Sequence, residues 1–118
     1  MKKSIAMKWV AALESGEYKQ TTGKLRQGNS FCCLGVLCNL HAQEFPEIAK
    51  TQKKRNSYLG EFGELPEKVQ EWSEMSSDEG DFYDPSTLRE YSLINMNDKE
   101  GKTFEQIAKV IRKYYKEL

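Results

Sequence analysis

The chain's three cysteines and its single histidine fall within one short stretch, as Cys32, Cys33, Cys38 and His41. Cys38-x-x-His41 sets two metal-capable side chains on one face of a helix. Structural zinc needs two such pairs at Cys-x2-4-Cys or His-x3-5-His spacing, and the sequence holds no second pair, so no metal is expected. A nucleophilic cysteine must ionise, and Cys32 or Cys33 at the mouth of a helix, near Lys24 or Arg26, would have a lowered pKa. His41 lies about two turns further along that helix, beyond local reach as their base. The competing reading makes the thiols small core hydrophobes and His41 a surface or supporting residue.

An anion site has a better physical basis. The turn Gln27-Gly28-Asn29-Ser30 leads into the helix that begins at the cysteines, and the free N–H groups of a helix start favour phosphate. Lys19, Lys24 and Arg26 flank the turn and would neutralise phosphates, while Asn29 and Ser30 would orient them. Tyr18 and Phe31 offer rings for a base or ribose. Gln20, Asn97 and Asp98 supply amide and carboxylate groups that would read a base edge or a hydroxyl. Neither Gly-x4-Gly-Lys-[Ser/Thr] nor Gly-x-Gly-x-x-Gly is present, so no standard phosphate loop is encoded. The plainer alternatives remain open: a solvated basic hairpin, and turn chemistry around Asn97-Asp98 ahead of the last helix.

The segments that must hold these residues can be placed by period and punctuation. Ile5, Trp9, Val10 and Leu13 recur at helical spacing between Ser4, a capping residue, and Gly16, a stop, which predicts a helix over 5–15. Residues 17–31 read as a hairpin. Residues 33–43 are apolar nearly all round and predict a buried central helix. Gly35 within it costs about 1 kcal/mol against alanine, which points to another backbone passing close by. The segment 44–56, with Lys50, Lys53, Lys54 and Arg55, reads as a loop or short surface helix, and 57–59 as a strand. Pro66 as a first helical residue, with Val69, Trp72 and Met75 behind it, predicts a helix over 66–75. Residues 76–86 read as an acidic loop and 88–96 as a short strand or helical turn. Thr103-Phe-Glu-Gln106 has capping-box spacing and opens a helix over 104–116.

Together these segments predict one α+β domain over 1–118, with three to four helices packed on a small antiparallel sheet or hairpin. The 118 residues carry 31% charged and 38% hydrophobic side chains and no net charge, which suits a single folded core and excludes a global basic field for wrapping duplex DNA. No apolar stretch is long enough to span a bilayer, and the early lysines interrupt any signal-peptide core. A reducing cytoplasmic setting follows from that and from the odd cysteine count. The neutral total hides a division: residues 1–59 hold ten Lys or Arg against four Asp or Glu, and 60–118 hold the compensating excess of acids. Nine acids against the single base Lys68 lie between Glu61 and Asp84. Such polarity suits either solvated faces or pairing of the acidic segment with the basic half of another subunit.

Cys32-Cys33-Leu34-Gly35-Val36-Leu37-Cys38, preceded by Trp9, Ser15-Gly16-x-Tyr18-x-Gln20 and Gly23-x-Leu25, resembles the core of a widespread set of small bacteriophage-encoded proteins. Leu65-Pro66 ahead of Trp72 fits the same pattern. So does Asn97-Asp98-Lys-Glu-Gly101-Lys-Thr103-Phe104-Glu-Gln-Ile107-Ala108, which has one residue more than the Asn-Asp-x-Gly-x-[Ser/Thr]-Phe-x-x-Ile-Ala ending of that set. The resemblance brings no assigned activity. By class analogy it implies an anti-defence protein that sequesters a nucleotide immune signal, a cyclic nucleotide or an ADP-ribose derivative. The expected protein is then a cytoplasmic homo-oligomer that binds a small nucleotide, needs no cofactor, and contacts neither membrane nor specific nucleic-acid sequence. Two alternatives stand beside it. One is a metal-independent enzyme cleaving such a signal with Asp98, Lys24 or a cysteine. The other is an interaction module whose acidic 61–84 segment blocks a host nucleic-acid-binding protein.

Overall fold

The computed structural model of the protein describes residues 1–51 and 56–118. Helix α1 (Lys3–Glu14) buries Ile5, Trp9, Val10 and Leu13, the stripe its sequence spacing predicts. It begins one residue before Ser4, with Lys2 in the capping position and no side-chain cap. Gly16 ends the segment at φ 76°, a conformation that costs glycine nothing.

Three two-residue strands follow: β1 (Lys19–Gln20), β2 (Arg26–Gln27) and β3 (Ser30–Phe31). The hairpin is β2–β3, joined by Gly28-Asn29, with Gly28 at φ 61° in the first central position that a type II′ turn requires. The segment before it is not an antiparallel partner. β1 runs parallel to β3, so the strand order is β1-β3-β2.

Helix α2 (Cys33–Glu44) is the buried central helix, with Cys33 to Cys38 and His41 out of solvent. The backbone implied by Gly35 is that of Leu25, since a Cβ on Gly35 would be driven into the Leu25 carbonyl. α3 (Pro46–Ala49) is a single exposed turn. The basic run Lys53-Lys54-Arg55 lies outside the described residues. The strand expected at 57–59 is reduced to an isolated bridge between Tyr58 and Glu61.

α4 (Glu67–Ser73) starts one residue after Pro66, which caps it, and ends at Glu74 in the left-handed region, φ 57°. The expected acidic loop over 76–86 contains a strand. β4 (Asp81–Asp84) pairs antiparallel with β5 (Arg89–Ser92), Phe82 facing Tyr91 and Tyr83 facing Glu90. The 88–96 segment is strand and helix in succession, since α5 (Leu93–Asp98) follows β5 directly. α6 (Phe104–Tyr114) carries the full capping box between Thr103 and Gln106, and buries Phe104, Ile107, Ala108 and Ile111 against α1.

The described residues thus form an α+β fold with six helices, four of them of seven residues or more, somewhat more than the sequence predicts. Trp9, Leu13, Leu34, Leu37, Ile107 and Ile111 fill one core. A radius of gyration of 13.2 Å is that of a single packed unit. Among the described residues no helix is long and apolar enough to cross a membrane.

Candidate functional site

α5 is short, but it delivers Asn97 into the centre of the molecule, where the residue is 1% exposed. Its Oδ1 accepts the Gln20 Nε2 at 2.9 Å and the backbone N–H of Cys33 at 3.1 Å. Its Nδ2 donates to the Thr21 carbonyl at 2.9 Å and to Asp98 Oδ1 at 2.8 Å. Two donors and two acceptor positions are a primary amide's full capacity. Asn97 therefore ties β1, the start of α2 and α5 together, and no amide position is left over for a ligand. Gln20 Nε2 also donates to the Lys102 carbonyl at 2.9 Å.

Two of the N–H groups at the start of α2 are already taken: Cys33 N–H goes to Asn97 and Gly35 N–H to the Cys32 sulfur at 3.3 Å, while Val36 N–H makes the first bond of the helix itself, to the Cys32 carbonyl at 3.0 Å. The whole first turn is buried, so phosphate cannot lie on the helix axis there.

The sheet divides its cations between its two faces, with the rings beside only one of them. Directly paired residues share a face and neighbours alternate. Lys19, Ser30 and Gln27 form one row, while Gln20, Phe31 and Arg26 form the next, on the opposite face. The Arg26 guanidinium sits 5.0 Å from the centre of the Phe31 ring, a cation–π distance. Its Nε donates to the Gly28 carbonyl at 2.7 Å, which fixes it over the turn. The Tyr18 ring meets Phe31 edge-on at 5.2 Å, and its hydroxyl accepts from Asn39 Nδ2 at 2.6 Å. Lys19, Lys24 and Asn29 are exposed. Among the described residues the ion pairs are Lys50–Glu47 and Arg112–Glu14, so Lys19, Lys24 and Arg26 face no carboxylate. The predicted positions thus divide into Lys19 and Ser30 on one face of the sheet, Arg26 beside Phe31 on the other, Lys24 and Asn29 exposed in the connections, and an inward Gln20–Asn97–Asp98 cluster that holds the sheet in place.

The thiols do not have the depressed pKa that a helix start would confer. Burial pushes Cys32 up to about 11, against a smaller lowering by the Gly35 and Leu34 N–H groups. Burial raises Cys33 and Cys38 well above their ordinary value too. Desolvation wins over the helix field here because no water reaches the sulfurs. His41 is not at the surface either. It is 2% exposed, packed on Phe45 at 4.8 Å and Trp72 at 5.2 Å, with Nδ1 2.7 Å from the Tyr58 hydroxyl. Burial lowers its pKa; Glu44 opposes and Lys68 assists that shift. Among the described residues no three His, Cys, Asp or Glu side chains converge as metal ligands would.

One polar centre escapes the sequence reading. Asp84, 5% exposed, accepts the Ser86 N–H at 2.9 Å, the Ser86 hydroxyl at 2.7 Å and the Tyr114 hydroxyl at 2.7 Å. Hydrogen bonds from Ser86, then Tyr114, hold its carboxyl down at about 2. A cleft of about 450 Å³, which Asp84 does not line, opens between the β4–β5 hairpin and Glu117. The run Asp81-Phe82-Tyr83-Asp84 does not alternate polar with apolar residues, so the sequence carries no signal for the strand.

No curated protein and no solved structure matches the chain. One family profile does, over residues 1–115. That match takes in both ends of the sheet-and-helix core and the Asn97 centre, and the chain belongs to the family described as domain of unknown function DUF8296.

Proposed function

We propose that the chain binds an anionic nucleotide around the β1-β3-β2 sheet and its connections and sequesters it, as an anti-defence protein of the phage type would. The observation that carries this reading is Arg26 over the Phe31 ring, with Tyr18 edge-on to that ring, together with the exposed Lys19 and Lys24 of the same sheet region, none of the three cations being in an ion pair among the described residues. Cations left unneutralised on a rigid turn attract phosphate, and a guanidinium anchored by its Nε keeps its other donors for a forked contact. Asn29 and Ser30 orient the phosphates, and Tyr18 and Phe31 flank the sugar or base. Gln20, Asn97 and Asp98 act from beneath, by fixing the strand on which the cations stand. Storage in place of turnover is supported by thiols held protonated in the core.

The test is to mix the protein with cyclic oligonucleotides and ADP-ribose derivatives, remove free ligand, denature by heat and identify what is released. Intact ligand in fixed ratio is expected. A converted product would make the protein an enzyme, and no retention by any member would refute nucleotide binding. The double variant Lys24→Ala, Arg26→Ala should lose retention with its melting temperature nearly unchanged.

A further inference from the structure

The outward face of the β4–β5 hairpin carries charge of the opposite sign. Phe82 and Asp84 turn inward to Tyr114, with the Phe82 and Tyr114 rings stacked at 4.9 Å. Alternation then sends Asp81 and Tyr83 outward, with Ser92 and Glu90 as their cross-strand partners. Glu117 closes the far side of the cleft. None of Asp81, Glu90 and Glu117 is in an ion pair among the described residues. Tyr83 is 44% exposed, and Leu88 at the hairpin tip is 74% exposed, the largest exposure of any bulky apolar residue described. An acidic rim around an exposed ring, with an exposed leucine at the hairpin tip beside Arg89, has the make-up of a protein interface.

Which protein fits is indicated by the other end of α5. The six-residue helix α5 follows the acidic hairpin directly and ends in Asn97 and Asp98, of which Asn97 latches the cationic sheet. The two unneutralised patches have opposite sign, and the chain as a whole has no net charge. We propose that the hairpin face is an interface for a second copy of this chain, with the exposed Lys19 and Lys24 of the one seated on Asp81, Glu90 and Glu117 of the other, and Tyr83 and Leu88 buried between them. Isolated surface ion pairs contribute little. The attraction therefore comes from two complementary patches meeting around a desolvated ring, and it steers association as much as it holds it. The interface does not rest on nucleotide binding, though both draw on the same cations. An occupied nucleotide site and a closed interface exclude each other.

Ligand-free protein is examined by sedimentation equilibrium at about 0.01 M and about 1 M salt, where the screening length falls from about 30 Å to about 3 Å. Association at low salt and a monomer at high salt are expected. The variants Asp81→Lys with Glu90→Lys, and Lys19→Glu with Lys24→Glu, should each be monomeric at low salt, and their equimolar mixture should associate again. A monomer at low salt overturns the proposal, as does association indifferent to salt and to both variants. A monomer that instead binds a lysine-rich peptide would assign the acidic face to another protein and equally overturn it. The salt series on the unaltered chain decides the matter even if a charge-reversed variant fails to fold. No arm contains nucleotide, so failure here is separate from failure of the binding reading.

Discussion

The side-chain oxygen of Asn97 accepts the backbone N–H of Cys33 at 3.1 Å, joining residues 64 positions apart at a point buried from solvent. The bond caps the central helix from outside that helix, and the same amide holds β1 through Gln20 and Thr21.

Replacing Asn97 with alanine leaves the Cys33 N–H and the Thr21 carbonyl without this partner. Each buried polar group so orphaned costs about 1–3 kcal/mol. The urea midpoint should fall accordingly with the slope unchanged. Asn97→Asp should also destabilise, since a carboxylate has no N–H for Thr21. A midpoint within error of the parent for both variants would show that the latch carries no stability.

Gly35→Ala would gain about 1 kcal/mol in an ordinary helix. Here the added methyl meets the Leu25 carbonyl, backbone that cannot swing aside as a flexible side chain would. The melting temperature should drop, and hydrogen exchange at Cys32, whose N–H donates to that carbonyl at 3.2 Å, should quicken. A rise in melting temperature would remove the close approach as the reason for glycine.

Acid should act in two windows. His41 has its pKa lowered by burial, so the folded state binds fewer protons than the unfolded one. Its contribution is complete above about 6.5 and is lost as the pH falls below that value. Asp84, held at about 2 against 3.8, contributes above 3.8 and loses that contribution between 3.8 and about 2. Stability measured against pH should fall in both ranges. Asp84→Asn should flatten the lower window alone, and His41→Phe the upper alone, with Trp72 fluorescence reporting the change beside His41.

Cys32, Cys33 and Cys38 are all buried and free. An aromatic disulfide reagent at neutral pH should label none of them in the native protein and all three in denaturant. Rapid labelling of one thiol before unfolding would restore the nucleophile reading.

The parts of this architecture that could be read in advance are those encoded locally. The α1 stripe, the Thr103–Gln106 box and the meaning of Gly35 depend on residues a few positions apart. The β4–β5 hairpin was hidden because Asp84-Pro85-Ser86-Thr87 are turn formers whose signal overwhelms four-residue strands on either side. The parallel pairing of β1 with β3 depends on Gln20 meeting Asn97, which nothing near either residue encodes. His41 looked polar because its cover comes from Tyr58 and Trp72, on segments that follow it in the chain. Of the candidate site, the residue types and the hairpin were legible. Their division between the two faces of the sheet was not, because it follows from strand register.

The Asn97 latch also sets an order of events during synthesis. Ribosomes add about 5–20 residues per second, so the 64 positions between Cys33 and Asn97 take about 3–13 s to make. Throughout that interval the buried central helix is without its external cap and β1 without its anchor. The nascent chain can collapse but not lock, and the cationic turn acquires its final shape only once α5 has left the ribosome.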